Sequence, residues 1–250
     1  MTMPPLDELR FVEVADVFKV GRLAARLVRT TDGVEFTYVE DYPDGGGPPV
    51  AISLPFDAKP RVRPGGALPA FFTGLLPEGR RLSGLRRAVK TSADDDLSLL
   101  LAVGSDTVGD VQVVPEGANP TAFEPRIEVE RWDTVRFAEL YSRETGGSLP
   151  DRVGIPGVQE KVSARMISLP VAERGSRFIL KLNPPELPHL VENEAFFLRA
   201  ARLSGLPVAD ADLVEDIDGR KGLLVRRFDR SVDEHGLVHS LAQEDACQVL

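Results

Sequence analysis

The stretch RFILKLN (residues 177–183) places a single lysine inside an apolar run. Its apolar residues alternate and so predict a β-strand, with Phe178, Leu180 and Leu182 on one face and Lys181 on the other. A lysine in such a strand must either extend to water or meet an anion. At the edge of a sheet the lysine is simply solvated, so the neighbouring segments have to decide between the two interpretations.

The next segment, LVENEAFFLRAARLSG (residues 190–205), supplies a candidate anion. Its apolar residues recur at helical spacing, and Gly205 predicts the C-terminal end of the helix. Glu192 points to a different helical face from Glu194. A lone buried carboxylate is costly, so we predict that Lys181 pairs with Glu194. The apolar residues predicted to share the face of Glu194 are Leu190, Phe197, Leu198 and Ala201.

A strand lysine followed by a helix glutamate is the arrangement that protein kinases use to hold nucleotide phosphates. In that arrangement a turn-rich loop before the first strand covers the phosphates, and GIPGVQEK (residues 154–161) stands at that place. It has the spacing of neither a P-loop nor a dinucleotide-binding fold. LLVRRFDR (residues 223–230) stands where a kinase holds adenine by backbone hydrogen bonds. Without this context the two stretches are a glycine-rich turn and an amphipathic strand with a basic end.

The C-terminal half predicts an antiparallel layer with one helix. Strands at 161–169 and 177–183 are joined by a turn-rich segment, and the helix follows them. Two more strands, at 210–219 and 222–230, flank a turn at Asp218-Gly219. A hairpin, one helix and further antiparallel strands indicate an α+β fold rather than an alternating parallel one.

The N-terminal half predicts short strands and helices. Residues 11–40 indicate a hairpin that turns at Thr31-Asp32-Gly33. Ser92 is the predicted N-cap of a helix that starts with three aspartates and ends at Gly104. The other predicted elements are a loop and short strand at 45–56, two helical pieces within 63–89 broken at 76–79, and a strand at 109–117.

Proline and glycine are frequent from about 115 to 151, which predicts a connection with one short helix near 135–141. We therefore predict an N-terminal subdomain over 1–120, a connection over 121–150 and a nucleotide-binding lobe over 151–250.

Composition excludes several classes of protein. The 250 residues are 42% hydrophobic and 28% charged, as in globular proteins. The N-terminus has no apolar signal core, and Cys247 is the only cysteine, so we expect a cytoplasmic protein without disulfides. A net charge of −9 argues against binding nucleic acid through the overall field. The basic stretch GRRLSGLRRAVK (residues 79–90) is usually a solvated helix face, and contact of Arg80–Lys90 with DNA stays open.

Six segments together carry a family resemblance. GIPGVQEKVS, FILKLN, LVENEAFFLRAARLSGL, LLVRRFDR and HSLAQEDACQVL come in the order and spacing of the HipA-type toxin kinases. The N-terminal half, from LPAFFTGLLPEGRRLSGLRRAV through DDDLSLLLAVGSDTVGDVQVVP, resembles the family's N-terminal subdomain. Each motif alone is weak, but six in order are specific and cover nearly the whole chain. The resemblance implies a β-rich N-terminal subdomain followed by a protein-kinase-like N-lobe with an antiparallel sheet and one helix.

The resemblance also implies a function. The family consists of serine/threonine kinases of type II toxin–antitoxin modules, which use ATP and Mg²⁺. Their partner is a helix-turn-helix antitoxin of the HipB type that binds operator DNA, and characterised members phosphorylate aminoacyl-tRNA synthetases. The implied nucleotide-binding residues are Pro156, Gly157, Val158, Gln159, Glu160 and Lys161 in the phosphate loop, Lys181 with Glu194, and Arg226, Arg227 and Phe228 in the adenine segment.

Several positions depart from the family pattern. Gly154 stands where some members have a phosphorylatable serine, and Arg226 stands where the family often has glutamate. No stretch after Lys181 resembles the catalytic HRD or DFG motifs of kinases. We therefore expect the catalytic residues, and the Mg²⁺ ligands, beyond Leu250 in a helical C-lobe. We also expect this chain alone to be inactive, with LAQEDACQVL as an interrupted helix.

Three further residues carry weaker signals. Asp229 directly follows the adenine segment, so we predict a turn or ion-pair residue rather than a metal-binding aspartate. His235 and His239 have the spacing of a metal pair, but no third ligand is near in sequence, which predicts loop residues.

The alternative function is a non-catalytic module that binds an antitoxin or a kinase. A generic α+β domain with a structural lysine–glutamate pair fits the ordered motifs less well.

Overall fold

Two compact units make up the chain. The structure is a computed structural model, which describes residues 4–56, 61–63, 66–77, 79–92, 94–120, 127–145, 167–173, 176–184, 187–235 and 238–246. The first unit comprises Met1–Pro77, Leu85–Glu124 and Asp233–Leu250, and the second comprises Glu78–Gly84 and Pro125–Val232. No helix in the described ranges is both long and apolar enough to cross a membrane.

A five-stranded antiparallel sheet in the order β4-β3-β2-β1-β5 forms the first unit. The hairpin predicted over 11–40 is confirmed, because β2 and β3 pair around Thr31-Asp32. A second hairpin joins β1 to β2 at Val20-Gly21, where φ is 50° and 73°. Sequence reasoning missed this turn because valine rarely adopts positive φ. The strands are β1 (Val14–Lys19), β2 (Arg22–Thr30), β3 (Gly33–Tyr38), β4 (Arg61–Arg63) and β5 (Val111–Pro115).

The helices before β5 lie in the first unit, except that the first part of Gly79–Val89 belongs to the second. The break predicted within 63–89 is confirmed, since α2 and α3 are separate helices. The helices are α1 (Asp41–Asp44), α2 (Ala70–Thr73), α3 (Gly79–Val89) and α4 (Asp96–Val103), with 3₁₀ helices at Leu6–Phe11 and Gly104–Asp106. Helix α4 is apolar on every side and buried from Leu97 to Val103, as expected for a helix inside a core.

Two predictions for the first unit are wrong. The N-cap of α4 is Asp95, not Ser92: the Asp95 carboxylate accepts the Ser98 N–H at 3.3 Å and a hydrogen bond from Arg29 at 2.7 Å. The ion pair with Arg29 selects this aspartate, and its partner is distant in sequence. Residues 45–56 hold no strand, only an isolated bridge between Ala51 and Leu54.

A four-stranded antiparallel sheet in the order β6-β7-β9-β8 forms the second unit, so the α+β class is confirmed. Pro170 lies within β6, so the turn predicted to begin at residue 170 is wrong; an edge strand tolerates proline. Beyond α6, Gly205 has φ of 79°, as a C-terminal glycine cap requires. The elements are α5 (Phe137–Thr145), β6 (Ile167–Glu173), β7 (Ser176–Leu182), α6 (Leu190–Leu203), β8 (Ala211–Glu215), β9 (Lys221–Arg226) and β10 (Arg230–Val232), with a 3₁₀ helix at Trp132–Thr134.

The second sheet has two different faces. One face packs into a core that includes Phe137 and Tyr141 of α5 and Leu180 of β7. An added Cβ at Gly222 would lie 2.8 Å from Leu180 Cδ1 and 3.1 Å from the Phe137 ring, so these core side chains would have to shift. Helix α6 packs against β7, β8 and β9.

The chain beyond β10 continues into the first unit with β11 (Val238–Ser240). Residues 241–245, which the sequence assigned to a helix, have no regular structure, so that part of the prediction is wrong. Glu244 instead accepts a hydrogen bond from the Ile52 N–H at 2.7 Å. This long-range contact holds the segment extended against the first unit.

Candidate functional site

Lys181 and Glu194 form the ion pair predicted from the sequence. Lys181 Nζ lies 2.6 Å from Glu194 Oε1. The lysine is the penultimate residue of β7 and the glutamate lies in the second turn of α6. Their side chains keep 26% and 29% of their surface exposed. The pair is therefore half-buried rather than sealed in a core, and the lysine ammonium stays open to a second anion.

The face of α6 was predicted less well. Phe197 was expected beside Glu194 in the core, but it is 61% exposed, and Phe196 is 65% exposed. Val191 is the fully buried residue of the helix. The helix carries apolar residues on opposite sides, so spacing alone did not identify the side that packs against the sheet.

Asn183 attaches the start of α6 to the end of β7, and sequence reasoning missed it. Its Oδ1 accepts the Val191 N–H at 2.9 Å, and its Nδ2 donates to Glu192 Oε2 at 2.9 Å. His189, at the N-cap, makes no side-chain cap. These two hydrogen bonds form a clamp. Because Asn183 follows Lys181 by two residues, the clamp sets the position of α6, and with it Glu194, relative to the lysine. An asparagine directly after a strand was the only signal available.

Glu192, predicted to point elsewhere, thus belongs to the clamp. Burial alone would raise the pKa of its carboxyl, but hydrogen bonds from Asn183 and the backbone, together with His189, lower it overall. The ionised form is therefore favoured in the folded protein.

Strand register places an apolar row beside the lysine. Lys181 pairs with Ser168 on β6 and Leu223 on β9, and the next row on the same face holds Pro170, Ile179 and Val225. These last three side chains are half-exposed. Rows two residues apart are separated by about 7 Å along a strand. A cation and a hydroxyl thus stand next to an apolar shelf, which no sequence pattern revealed because register is a long-range property.

The three residues of the adenine segment have different environments. Arg226 pairs with Phe178 on the opposite face of the sheet, with its guanidinium carbon 5.1 Å from the ring centroid. Its side chain therefore does not lie on the Lys181 face, and its backbone N–H donates to the Asp210 carbonyl at 2.8 Å. Arg227 is buried, whereas Phe228 is 69% exposed.

Asp229 is a turn and ion-pair residue, as predicted. Its carboxylate binds Arg227 Nη2 at 2.7 Å and Arg230 Nη1 at 2.8 Å, and all three side chains are nearly inaccessible.

Some predicted site residues lie outside the described residues. These are Gly154 and the phosphate loop, namely Pro156, Gly157, Val158, Gln159, Glu160 and Lys161. Within the described ranges, no three His, Cys, Asp or Glu side chains lie together as metal ligands. The involvement of Mg²⁺ therefore stays a prediction from the resemblance.

The two histidines differ in their setting: His235 lies in a turn, as predicted, but His239 lies in β11, so the loop prediction for His239 is wrong. His239 Nε2 lies 2.8 Å from Asp233 Oδ2, and the His235 backbone N–H donates to Asp233 Oδ1 at 2.9 Å. Asp233 is thus hydrogen-bonded to both residues.

Fewer basic side chains of residues 79–90 are exposed and unpaired with acids than the sequence suggested. Lys90 Nζ lies 2.9 Å from Asp7 Oδ2, which lowers the pKa of that carboxyl. Arg81 and Arg86 are half-buried, whereas Arg87 is exposed.

Comparisons with known proteins extend these observations. Residues 15–114 match the family model of the HipA N-terminal domain, and residues 153–250 match that of the HipA-like C-terminal domain. Residues that the sequence assigned to an N-lobe thus fall in what the family defines as its C-terminal domain. "Putative kinase Y4mE" of Sinorhizobium fredii is 32% identical over 256 residues, covering 96% of this chain and 59% of its own length.

HipA of Shewanella oneidensis is also similar, both as a sequence and as a solved structure. The serine/threonine-protein kinase toxin HipA is 28% identical, over 88% of this chain and 51% of its own length. A solved HipA from a complex with HipB and operator DNA shares the fold, with a TM-score of 0.70 and 23% identity over 94% of this chain and 55% of that one. This chain therefore spans about half the length of the relatives it matches. The two family models, the kinase relatives and the shared fold show that the chain belongs to the HipA-type proteins.

Proposed function

We propose that the second unit binds ATP on its Lys181 face and serves a HipA-like serine/threonine kinase, the toxin of a toxin–antitoxin module. The observation that carries this proposal is the Lys181–Glu194 pair at 2.6 Å, formed by a strand and the helix that follows it. Kinases use this pairing to hold nucleotide phosphates. The names of the relatives agree with this chemistry.

The described residues fit a nucleotide in three ways. Lys181 is partly exposed and is paired with Glu194, so its ammonium group can also contact a phosphate. The shelf of Pro170, Ile179 and Val225 gives a planar base an apolar surface one row away. The backbone of 226–228 would supply hydrogen bonds to the base, and the loop at 156–161 would cover the phosphates.

The proposed reaction transfers the γ-phosphoryl group to a protein hydroxyl. The hydroxyl oxygen bonds to phosphorus, the bond to the β,γ-bridging oxygen breaks, ADP leaves and the hydroxyl proton passes to a base. We assign no described residue as that base. The chain's own part is to orient ATP, and Mg²⁺ would offset phosphate charge when bound.

The proposed partner is a HipB-type antitoxin, because the solved HipA structure is a complex with HipB and operator DNA. We propose that DNA is reached only through that antitoxin, given the net charge of −9 and the pairing of Lys90 with Asp7. An aminoacyl-tRNA synthetase is the proposed class of substrate. In the alternative function, a non-catalytic binding module, the exposed Phe196 and Phe197 of α6 would contact the partner.

Calorimetric titration of the chain with MgATP tests nucleotide binding. We expect Lys181→Met to weaken binding at least tenfold, because the phosphates lose their cation. Lys221→Met is the matched control, since Lys221 is an exposed lysine on β9 of the same sheet, and binding should stay within twofold. Equal affinity of both variants would contradict the proposed site, and no binding by the unmodified chain would favour the non-catalytic module.

A further inference from the structure

The segment after β9 is held by a buried cluster of charges. Asp229 bridges two arginines: Arg227 donates from Nε at 3.0 Å and from Nη2 at 2.7 Å, and Arg230 donates from Nη1 at 2.8 Å. The exposed fractions of these side chains are 4% for Arg227, 3% for Asp229 and 1% for Arg230. Arg227 is thus bound through both oxygens of one carboxylate, the most directional ion-pair geometry available.

This cluster fixes the backbone around Phe228. Arg227 and Asp229 are both buried, and the chain turns at Phe228-Asp229 with the Phe228 side chain outward. Phe228 is 69% exposed. The Arg227 N–H donates to the Arg177 carbonyl at 3.0 Å, which continues the pairing of β7 with β9 into the turn. Side-chain and main-chain contacts together therefore immobilise residues 226–230.

Stability alone is a poor reason for such a cluster. Apolar residues of similar volume often replace buried ion clusters without loss of stability, because removing charges from water is costly. The charges instead restrict the conformation of the main chain, since a bidentate pair permits only a narrow range of backbone conformations. The adjacent main chain is the segment that the proposed function assigns to the base of ATP.

We propose that Asp229 is a positioning residue: by binding Arg227 and Arg230 it presets the main chain of 226–228 to receive the adenine base. This inference rests on the proposed function. Asp229 itself does not touch the nucleotide. It acts through backbone geometry, so its loss should affect binding of the base and spare binding of the phosphates. Lys181, which would meet the phosphates, pairs with Leu223, four residues before Arg227.

Titration of the full chain with two separate probes, adenosine and inorganic tripolyphosphate, tests this role. We expect Asp229→Asn to weaken adenosine binding at least tenfold and to change tripolyphosphate binding less than twofold. Lys181→Met should weaken tripolyphosphate binding at least tenfold. A merely structural role predicts that Asp229→Asn weakens both probes together or neither, and either result overturns the inference.

A second variant covers a failure to fold. Asp229→Asn removes the negative charge that Arg227 and Arg230 both contact, and it is expected to lower the midpoint of thermal unfolding. The variant R227M/D229L/R230M replaces the three charged side chains by apolar residues and should refold. Folded protein that has lost adenosine binding but keeps tripolyphosphate binding supports the inference, and recovery of adenosine binding overturns it. If the unmodified chain binds neither probe, the proposed function and this inference both fail. If the unmodified chain binds both probes and the Asp229 variants bind them equally well, only the inference fails.

Discussion

The Lys181–Glu194 pair makes a quantitative prediction about stability. Charges 2.6 Å apart attract by about 1.6 kcal/mol in water and about 6 kcal/mol at an effective dielectric constant of ~20. The two side chains are 26% and 29% exposed, so water screens the pair. Exposed pairs contribute about 0.2–1 kcal/mol and breaking a buried pair costs about 3–5 kcal/mol. We therefore expect a coupling energy of about 1 kcal/mol, below the value for a sealed pair.

A double-mutant cycle of Lys181→Met and Glu194→Gln measures this coupling. Urea unfolding should be followed by tryptophan fluorescence, because Trp132 is the only tryptophan in the chain and lies in the core of the second unit. The signal thus reports the unit that holds the pair.

Lys221 and Glu215 provide the matched control. They stand opposite each other on β9 and β8 at exposed positions, and their cycle should give less than about 0.5 kcal/mol. Coupling of Lys181 with Glu194 no greater than this control would refute the pairing in solution. Coupling above about 3 kcal/mol would refute its half-exposed environment.

The remaining predictions concern other parts of the fold. Asn183→Ala removes two hydrogen bonds at the start of α6 and should cost about 1–2 kcal/mol by Trp132 fluorescence, and it should also weaken ATP binding because Glu194 shifts. Gly222→Ala should cost about 1–3 kcal/mol by the same assay, since its Cβ has no space. Asp95→Ala should cost about 1–2 kcal/mol by circular dichroism, through the lost N-cap and the lost partner of Arg29.

Asp95 also predicts a pH dependence. Burial would raise its pKa, but hydrogen bonds from Ser98, Thr91 and Arg29 lower it below the ordinary 3.8. A lowered folded pKa means that the stabilisation is complete above pH 3.8 and is lost as the pH falls through the lower value. Asp95→Asn should reduce the acid dependence of the unfolding free energy by this contribution, measured between acid and neutral pH. An unchanged dependence of stability on acid pH in this variant would contradict the role given to Asp95. Wild-type stability of Asn183→Ala or Gly222→Ala would contradict the role given to the residue concerned.

The sequence predicted the features of the site that depend on local periodicity. Alternation identified the face of Lys181, and helical spacing identified Glu194 as its partner, because both patterns are properties of a single element. Asn183 and the shelf around Ile179 were missed because they depend on how separate elements meet. Phe197 was misplaced for a related reason: α6 is apolar on two sides, and only packing selects one.

The same limit applies in the first unit. Ser92 and Asp95 are both good N-cap residues by type, and the distant Arg29 decided between them. The turn at Val20 was missed because tertiary pairing of β1 and β2 overrides the backbone preference of valine. Motif order, by contrast, predicted the family correctly, because it combines information from six segments.

The most direct test of the central claim is to map the lysines that an ATP acyl phosphate labels in the folded chain. This reagent delivers an acyl group to lysines beside the bound phosphates, and the chain has only Lys19, Lys59, Lys90, Lys161, Lys181 and Lys221 to report. We predict labelling of Lys181 that excess ATP suppresses, with Lys161 of the proposed phosphate loop as the only other site. Labelling of Lys90 or Lys221 in preference to Lys181, or labelling that ATP does not suppress, would contradict the nucleotide site.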